Sequence, residues 1–429
     1  MKAVLRIGLI TLAFVVLWVV VVFFGTSEGW WRQSLAPRGD TAAFMTAAKA
    51  LVDSNNKGNA VFAVIDHGNV HGVHAASVGE AVDENTVFQT ASLSKWITAW
   101  GVMALVQEGK LDLDKPVGAY LTRWTLPESK FDNNEVTARR LLSHTAGLSD
   151  GLGYAGFAPD APVQSLEESL ERPADVSPGA SGVIQVGYKP GTEWHYSGGG
   201  YAILQLLIEE VSGESFEAFM QRAVFQPLGM VRSSYIWTPG QGSTLATFYD
   251  ADSRPATHYR FSAVAATSLY TSVSDLTRFV QAQLPGKNGE PVGRGVLRPA
   301  IIDEMWLPHA SSFGQDIWGL GAILYASNNQ GGFVVGHDGK NEPAINSAAR
   351  FDPATGNGIV ILETGQPLLA TLLGGEWVFW ETGNVDLLAF TMAIPGMLRL
   401  MVIGAIAIVV AVPAIGWVIR RRRTGVSVA

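Results

Sequence analysis

The 429-residue chain is 48% hydrophobic and 16% charged, contains no cysteine and carries a net charge of −8. That composition fits a folded protein of one large or two medium domains, not a disordered chain. It excludes disulfides, thiolate metal sites and a cysteine nucleophile, and the acidic surplus argues against a nucleic-acid partner.

Ile7 to Gly25 is apolar apart from Thr11. Wound as a helix, the run approaches the roughly 30 Å hydrocarbon thickness of a bilayer. A cleaved signal peptide is the rival reading, but its apolar region is usually shorter and ends in a small-x-small site. Here the run ends Phe23-Phe24-Gly25-Thr26-Ser27-Glu28, so it reads as an uncleaved anchor, with Trp30 and Trp31 placed for an interfacial aromatic belt. Residues 41–54 have the spacing of an amphipathic helix. Val61 to Ile65 and Val70 to Val78 read as a hairpin turned at Asp66-His67-Gly68-Asn69. Trp96 to Gln107 predicts a helix closed by Glu108-Gly109. Short helices follow among Gly/Pro loops at 136–142, 165–172, 199–211 and 214–224. Ser272-Val273-Ser274-Asp275 looks like a capping box before a helix at 274–284. Strands return at 319–325, 333–337, 344–351 and 358–363, and 366–382 predicts a packing helix.

Leu400 to Ile419 is a second apolar run. Pro413 interrupts it, which membrane helices tolerate, and Arg420 to Arg423 follow at once. A buried core helix would not account for those arginines. With Lys2 and Arg6 before the first run, the positive-inside rule puts both termini in the cytoplasm. The expected organisation is an anchor at 1–25, an outward-facing domain at 26–395 with a helical insertion at about 112–260, and a helix with a basic tail at 396–429. The setting would be a bacterial inner membrane with the domain in the periplasm or exterior. Strands, a long helix, a helical middle, then strands and a helix predict an α/β body split by an insertion.

Thr90-Ala91-Ser92-Leu93-Ser94-Lys95 places Ser-x-x-Lys at the mouth of a predicted helix. Residues three apart share a helix face, so Lys95 can reach the Ser92 hydroxyl. A serine hydroxyl is a weak nucleophile and needs a base; a lysine serves if burial or neighbouring positive charge lowers its pKa. The helix N-terminus at Ser92 also favours a developing oxyanion. The bland alternative is a helix cap followed by a solvated lysine.

Further segments appear in order: Gln107-Glu108-Gly109-Lys110-Leu111, Leu141-Leu142-Ser143-His144-Thr145-Ala146-Gly147-Leu148, Pro190-Gly191 through Tyr196-Ser197-Gly198-Gly199-Gly200-Tyr201, Pro227-Leu228-Gly229-Met230 and Gly336-His337-Asp338-Gly339. With the Ser-x-x-Lys box they make residues 41–383 resemble the serine β-lactamase-like hydrolases of the class C and DD-peptidase type, which include esterases and D-amino-acid peptidases. The resemblance implies an α/β (α+β) fold, an antiparallel sheet flanked by helices, of the β-lactamase/transpeptidase kind. It implies Ser92 as nucleophile and Lys95 with Tyr196 as base or proton relay. His337 would donate to substrate or to Tyr196. The backbone N–H groups of Ser92 and Lys340 would form the oxyanion hole, and Ser197, Gly198 and Gly339 would line the substrate site. A core tyrosine and a structural histidine are the alternatives for Tyr196 and His337.

Two departures stand out. Gly198 occupies the place of the Asn in Tyr-x-Asn, which usually orients the substrate amide and the lysine, so the expected activity moves from β-lactams towards esters or D-amino-acid peptides. Lys340-Asn341-Glu342-Pro343 replaces the family's Gly-rich continuation. Two Gly-x-Ser-x-Gly matches, at 25–29 and 147–151, neither follow a strand nor open a helix, so neither is a nucleophile elbow. The Gly-rich run 151–156 lacks the preceding strand of a dinucleotide site, and Ser149-Asp150-Gly151 only mimics Ser-Asp-Asn. His67, His71 and His74 lack a completing carboxylate cluster, so no metal and no cofactor is expected. The expected partners are a small-molecule or peptide substrate and a membrane. A catalytically weak, penicillin-binding-like module that senses or binds at the envelope is the alternative function.

Overall fold

The computed structural model describes residues 2–151, 153–238, 244–342 and 345–425. Leu152 of the Gly-rich run, Pro343 of the charged loop, Ala344 at the start of a predicted strand and the last four tail residues lie outside them. The chain forms two compact units, residues 35–382 and residues 1–34 with 383–429.

In chain order the elements are α1 (Lys2–Ser27), α2 (Thr41–Asn55), β1 (Asn59–Asp66), β2 (Asn69–Ser77), β3 (Val87–Gln89), α3 (Ser94–Gln107), α4 (Ala138–Leu142), α5 (Leu166–Glu171) and α6 (Gly198–Ser212). Then come α7 (Phe216–Met220), continuing through a π-turn into α8 (Gln226–Leu228), α9 (Val264–Thr267), β4 (Tyr270–Ser272), α10 (Val273–Ala282) and α11 (Pro299–Trp306). The chain ends with β5 (Ala310–Ser312), β6 (Gln315–Trp318), β7 (Ile323–Ser327), β8 (Phe333–Asn341), β9 (Ile345–Phe351), β10 (Gly358–Thr364), α12 (Leu369–Thr382) and α13 (Leu387–Gly425).

Eight strands pair antiparallel in the order β2-β1-β10-β9-β8-β7-β6-β5, while β3 and β4 form a separate two-stranded sheet. β1, β9 and β10 are buried almost end to end, because α2 and α12 cover one face and α3 and α10 the other. That is why these strands read as apolar runs, whereas β2, at the edge, is largely exposed. The main core joins Val61, Val335, Phe351 and Leu362 of the sheet to Trp96, Trp100 and Phe279 of the helices. Across the sheet, Phe44 of α2 packs on Trp380 of α12 with ring centroids 4.7 Å apart. The capping residue expected before α10 is present: the Ser272 hydroxyl accepts from the Asp275 N–H at 3.2 Å.

Of the strand expected at 319–325 only the end is strand, as the start of β7 (Ile323–Ser327); residues 319–322 form the bend that links it to β6. The short strands β3, β4, β5 and β6, three or four residues each, carry too few alternations to register as a period.

In the second unit, α1 and α13 lie along one another. The Trp18 indole donates to the Leu400 carbonyl at 3.2 Å, and Phe23 meets Phe390 at 6.2 Å. Val4–Ser27 and Leu387–Arg421 are long and apolar enough to cross a membrane. The second is longer than the apolar run at 400–419, and both Pro395 and Pro413 sit inside it.

Candidate active site

After β3 the chain turns through Thr90 and a 3-10 turn, Ala91–Leu93, into α3. Ala91 sits at φ +49°, a left-handed conformation that is costly for a residue with a Cβ. Neighbouring strands hold this turn. Thr90 donates to the Leu269 carbonyl through its N–H at 2.9 Å and its hydroxyl at 3.1 Å. Ser94 bonds the Ala91 carbonyl at 2.5 Å and accepts from the Leu269 N–H at 2.9 Å. On the other side, the Ser347 hydroxyl donates to the Thr90 carbonyl at 2.7 Å.

Ser92, half-buried on this turn, meets both expected partners. Lys95 is 1% exposed, and its Nζ donates to Ser92 Oγ at 3.2 Å and to the Ala266 carbonyl at 2.8 Å. The Tyr196 hydroxyl donates to Ser92 Oγ at 2.8 Å. Lys95 Nζ also stands 5.0 Å from the centre of the Tyr196 ring and 5.6 Å from that of Tyr201. Two side chains from distant segments thus converge on the Ser92 oxygen.

The irregular segment leading into α6 positions Tyr196. Ser197 caps that helix, accepting from the Gly200 N–H at 2.8 Å and donating to Asp150 Oδ1 at 2.5 Å. Asp150 Oδ2 accepts from the Gly199 N–H at 2.9 Å. Burial raises the Asp150 pKa, opposed by these hydrogen bonds and by Lys95. The Ser-Asp-Gly segment, set aside as a mimic, therefore supplies an acid to the base of the site; its role depends on a loop contact that no local pattern announces.

His144 is the other residue whose part was not foreseen. Its backbone is left-handed, at φ +57°. Its ring lies 4.4 Å from that of Tyr196, its carbonyl accepts from the His195 N–H at 2.8 Å, and its Nδ1 accepts from the Ser197 N–H at 3.2 Å. Burial first, then Lys95 and His337, hold its pKa well below the usual histidine range. The imidazole is therefore neutral and serves as a packing surface behind Tyr196.

His337 lies on β8, 1% exposed, with its ring edge-on to Trp318 at 5.4 Å. Its Nδ1 bonds the Asp338 carbonyl at 2.6 Å, and a carbonyl only accepts, so Nδ1 carries the proton. Burial, and then Lys95, push its pKa down to about 3. The neutral ring consequently presents an unprotonated, buried Nε2 with no hydrogen-bond partner among the described residues. The Asp338 carbonyl takes the one proton the ring has, which differs from the expected donor to substrate or to Tyr196.

Gly339 sits where β8 passes the Ser92 turn. A Cβ there would lie 1.9 Å from the Thr90 carbonyl oxygen and 3.0 Å from the Leu93 nitrogen, so only glycine permits the approach. β7 pairs with β8 only as far as Gly336, leaving that edge of β8 from His337 to Asn341 without a strand partner among the described residues. Lys340 lies on that open edge, its side chain exposed. On the face away from His337 and Gly339, Asp338 bonds Arg350, fully buried, at 3.0 Å and Tyr325 at 2.6 Å, which anchors the strand.

Gly198 also has a steric reason. A Cβ there would fall 2.7 Å from the ring of Tyr154, a buried residue. The place an asparagine side chain would use is filled by that ring. The Tyr154 carbonyl accepts from Asn341 Nδ2 at 3.4 Å, so the end of β8, where Lys340 and Asn341 of the charged segment lie, is tied to the Tyr154 loop. Two of the three histidines of the first hairpin pair with carboxylates of their own: His74 Nε2 with Asp53 at 2.7 Å and His67 Nδ1 with Asp66 at 2.9 Å. No metal-holding cluster occurs among the described residues.

An eight-stranded antiparallel sheet between helices, with Ser-x-x-Lys and a tyrosine meeting beside its strand β8, defines a serine β-lactamase-like fold. The family model described as Beta-lactamase matches residues 44–373, and the chain belongs to that family, whose members are serine hydrolases. Penicillin-binding protein 4 of Amycolatopsis lactamdurans is 28% identical over 350 residues, covering 76% of this chain and 86% of that one. Esterase EstB of Burkholderia gladioli is 32% identical over 198 residues, 40% of this chain and 45% of that one. Two Bacillus subtilis penicillin-binding relatives are matched over only 47% and 30% of their own lengths. The octameric penicillin-binding protein homologue from Pyrococcus abyssi shares the fold, with a TM-score of 0.64 at 23% identity, over 81% of this chain and 78% of that one.

Proposed function

We propose that this protein is an acyl-enzyme serine hydrolase acting on esters outside the membrane, with Ser92 as nucleophile. The observation that carries the proposal is the convergence of Tyr196 Oη, at 2.8 Å, and Lys95 Nζ, at 3.2 Å, on Ser92 Oγ. Both lie within the reach a proton transfer needs. As Ser92 Oγ bonds the substrate carbonyl carbon, its proton passes to this Lys95–Tyr196 pair. The bond to the leaving alcohol then breaks, the alkoxide takes the proton back, and water releases the acid by the reverse path. Negative charge on the carbonyl oxygen is received by the N–H groups of Ser92 and Lys340.

Esters are favoured over β-lactams and D-amino-acid amides because Tyr154 fills the position from which an asparagine would hold a substrate amide. The named esterase relative supports that preference. Two helices long and apolar enough to cross a membrane support a membrane setting for the hydrolase, and the positive-inside rule favours the cytoplasmic side for the arginines that close the second.

A fluorophosphonate probe is expected to label the wild type and not Ser92→Ala; equal labelling of both sinks the mechanism. Lys95→Ala and Tyr196→Phe should each slow acylation by a p-nitrophenyl ester by roughly 100-fold or more. D-Ala-D-Ala peptides and a chromogenic cephalosporin, assayed in parallel, should turn over more slowly than the ester.

A further inference from the structure

The buried face of β9 carries an asparagine where an apolar residue would cost nothing. Asn346 is 0% exposed, flanked by Ile345, Ala348 and Ala349, all buried. An unpaired amide there would be expensive, yet this one is fully engaged. Its Nδ2 donates to the Gly339 carbonyl at 3.1 Å and to Thr371 Oγ1 at 3.0 Å, and its Oδ1 accepts from the Thr371 N–H at 3.0 Å. Thr371 lies in α12, so the side chain is gripped at one end by a helix and at the other by β8.

The peptide it grips is the one that matters for an oxyanion. Gly339 C=O and Lys340 N–H belong to the same planar peptide unit, and in a trans peptide they point in opposite directions. In register, Lys340 stands opposite Asn346 and Gly339 opposite Ser347. A Gly339 carbonyl turned towards β9 and held there by Asn346 directs the Lys340 N–H the other way, to the open edge beside the nucleophile turn. A hydrogen bond to the carbonyl also polarises the amide and strengthens its N–H as a donor. The next residue of the same strand, Ser347, holds the Thr90 carbonyl at 2.7 Å, two residues before Ser92. Adjacent residues of β9 thus tie down both sides of the gap in which the carbonyl oxygen would sit.

We propose that Asn346 is a positioning residue for the oxyanion hole: anchored on Thr371, it fixes the Gly339–Lys340 peptide so that the Lys340 N–H faces the reacting carbonyl. This rests on the reading of Ser92 as nucleophile and of Lys340 N–H as oxyanion donor. It acts on the charge that develops in the transition state, so its loss lowers kcat and leaves KM nearly unchanged.

The test uses the full chain in detergent, with Asn346→Asp, which keeps the shape but removes the donor, and Asn346→Leu. With a p-nitrophenyl ester, kcat should fall roughly tenfold to 100-fold, less than deleting an oxyanion donor outright, while KM stays within about threefold. Affinity for a boronic acid that mimics the tetrahedral species should fall in parallel. The infrared carbonyl stretch of the acyl-enzyme should move to higher frequency, a change that general loosening of the fold would not produce. Should both variants fail to fold, Thr371→Val, which deletes one anchor, should show the same frequency shift at smaller size. Unchanged kcat and carbonyl frequency in a folded variant overturn the inference, as does a loss confined to KM. Absence of any wild-type adduct at Ser92 refutes the underlying reading, and this inference with it.

Discussion

Two buried imidazoles stand in the field of Lys95, and both are neutral. For His337 the linkage has a definite sign. Its folded pKa is about 3, against an ordinary value of 6.5. Between those limits the unfolded chain binds a proton that the folded chain does not. The stability contributed by the neutral ring is therefore full above pH 6.5 and is lost as the pH falls, by at most about 1.4 kcal/mol per pH unit. Thermal unfolding at pH 7.5 and 5 should show a larger drop for the wild type than for His337→Gln; equal drops would show that this histidine titrates normally. Gly198 makes a second residue-level prediction. Gly198→Asn should destabilise the fold by about 1–3 kcal/mol through its clash with Tyr154, and it should not create cephalosporin turnover unless the Tyr154 ring is also removed. Ser92 and Lys95 were legible because their spacing is local. The partners that fix Tyr196, His144 and Asp150, were not, because each acts across a loop.

The elements most easily read were those whose burial pattern is uniform. β1 and β10 are covered on both faces, and α10 has a serine cap followed by one apolar stripe. Replacing that cap, Ser272→Ala, should cost about 1 kcal/mol in denaturant unfolding without touching catalysis. β8 is different, since its meaning lies in its neighbours. Gly339→Ala would place a methyl group against the Thr90 carbonyl. The strand or the nucleophile turn must then move, so ester hydrolysis should fall at least tenfold together with a lower Tm. An alanine variant with wild-type activity would mean that the close approach is not required.

The absence of cysteine makes the proposed topology simple to examine. Single-cysteine variants at Arg38 and Ser427 can be probed with an impermeant maleimide in intact cells. Labelling at position 38, and at 427 only after permeabilisation, is the expected outcome; the reverse pattern would invert the orientation. The two units differ in how they hold together. Residues 35–382 have their own extensive core, whereas α1 and α13 leave most of their apolar side chains exposed, including Leu9, Leu12, Ile406 and Val410. Such surfaces suit a lipid environment.

Periodicity, composition and short motifs were enough for the family, the two apolar ends, most of the helices and the Ser92–Lys95 pair, because these depend on residues within a turn or two of one another or on the solvent they face. Only the folded chain showed that His337 spends its proton on Asp338, that Tyr154 fills the space beside Gly198, and that Asn346 holds the peptide of Lys340. Those facts depend on which strands and loops meet in space, and a side chain's protonation, clearance and hydrogen-bond partners are set by neighbours that sequence distance does not reveal.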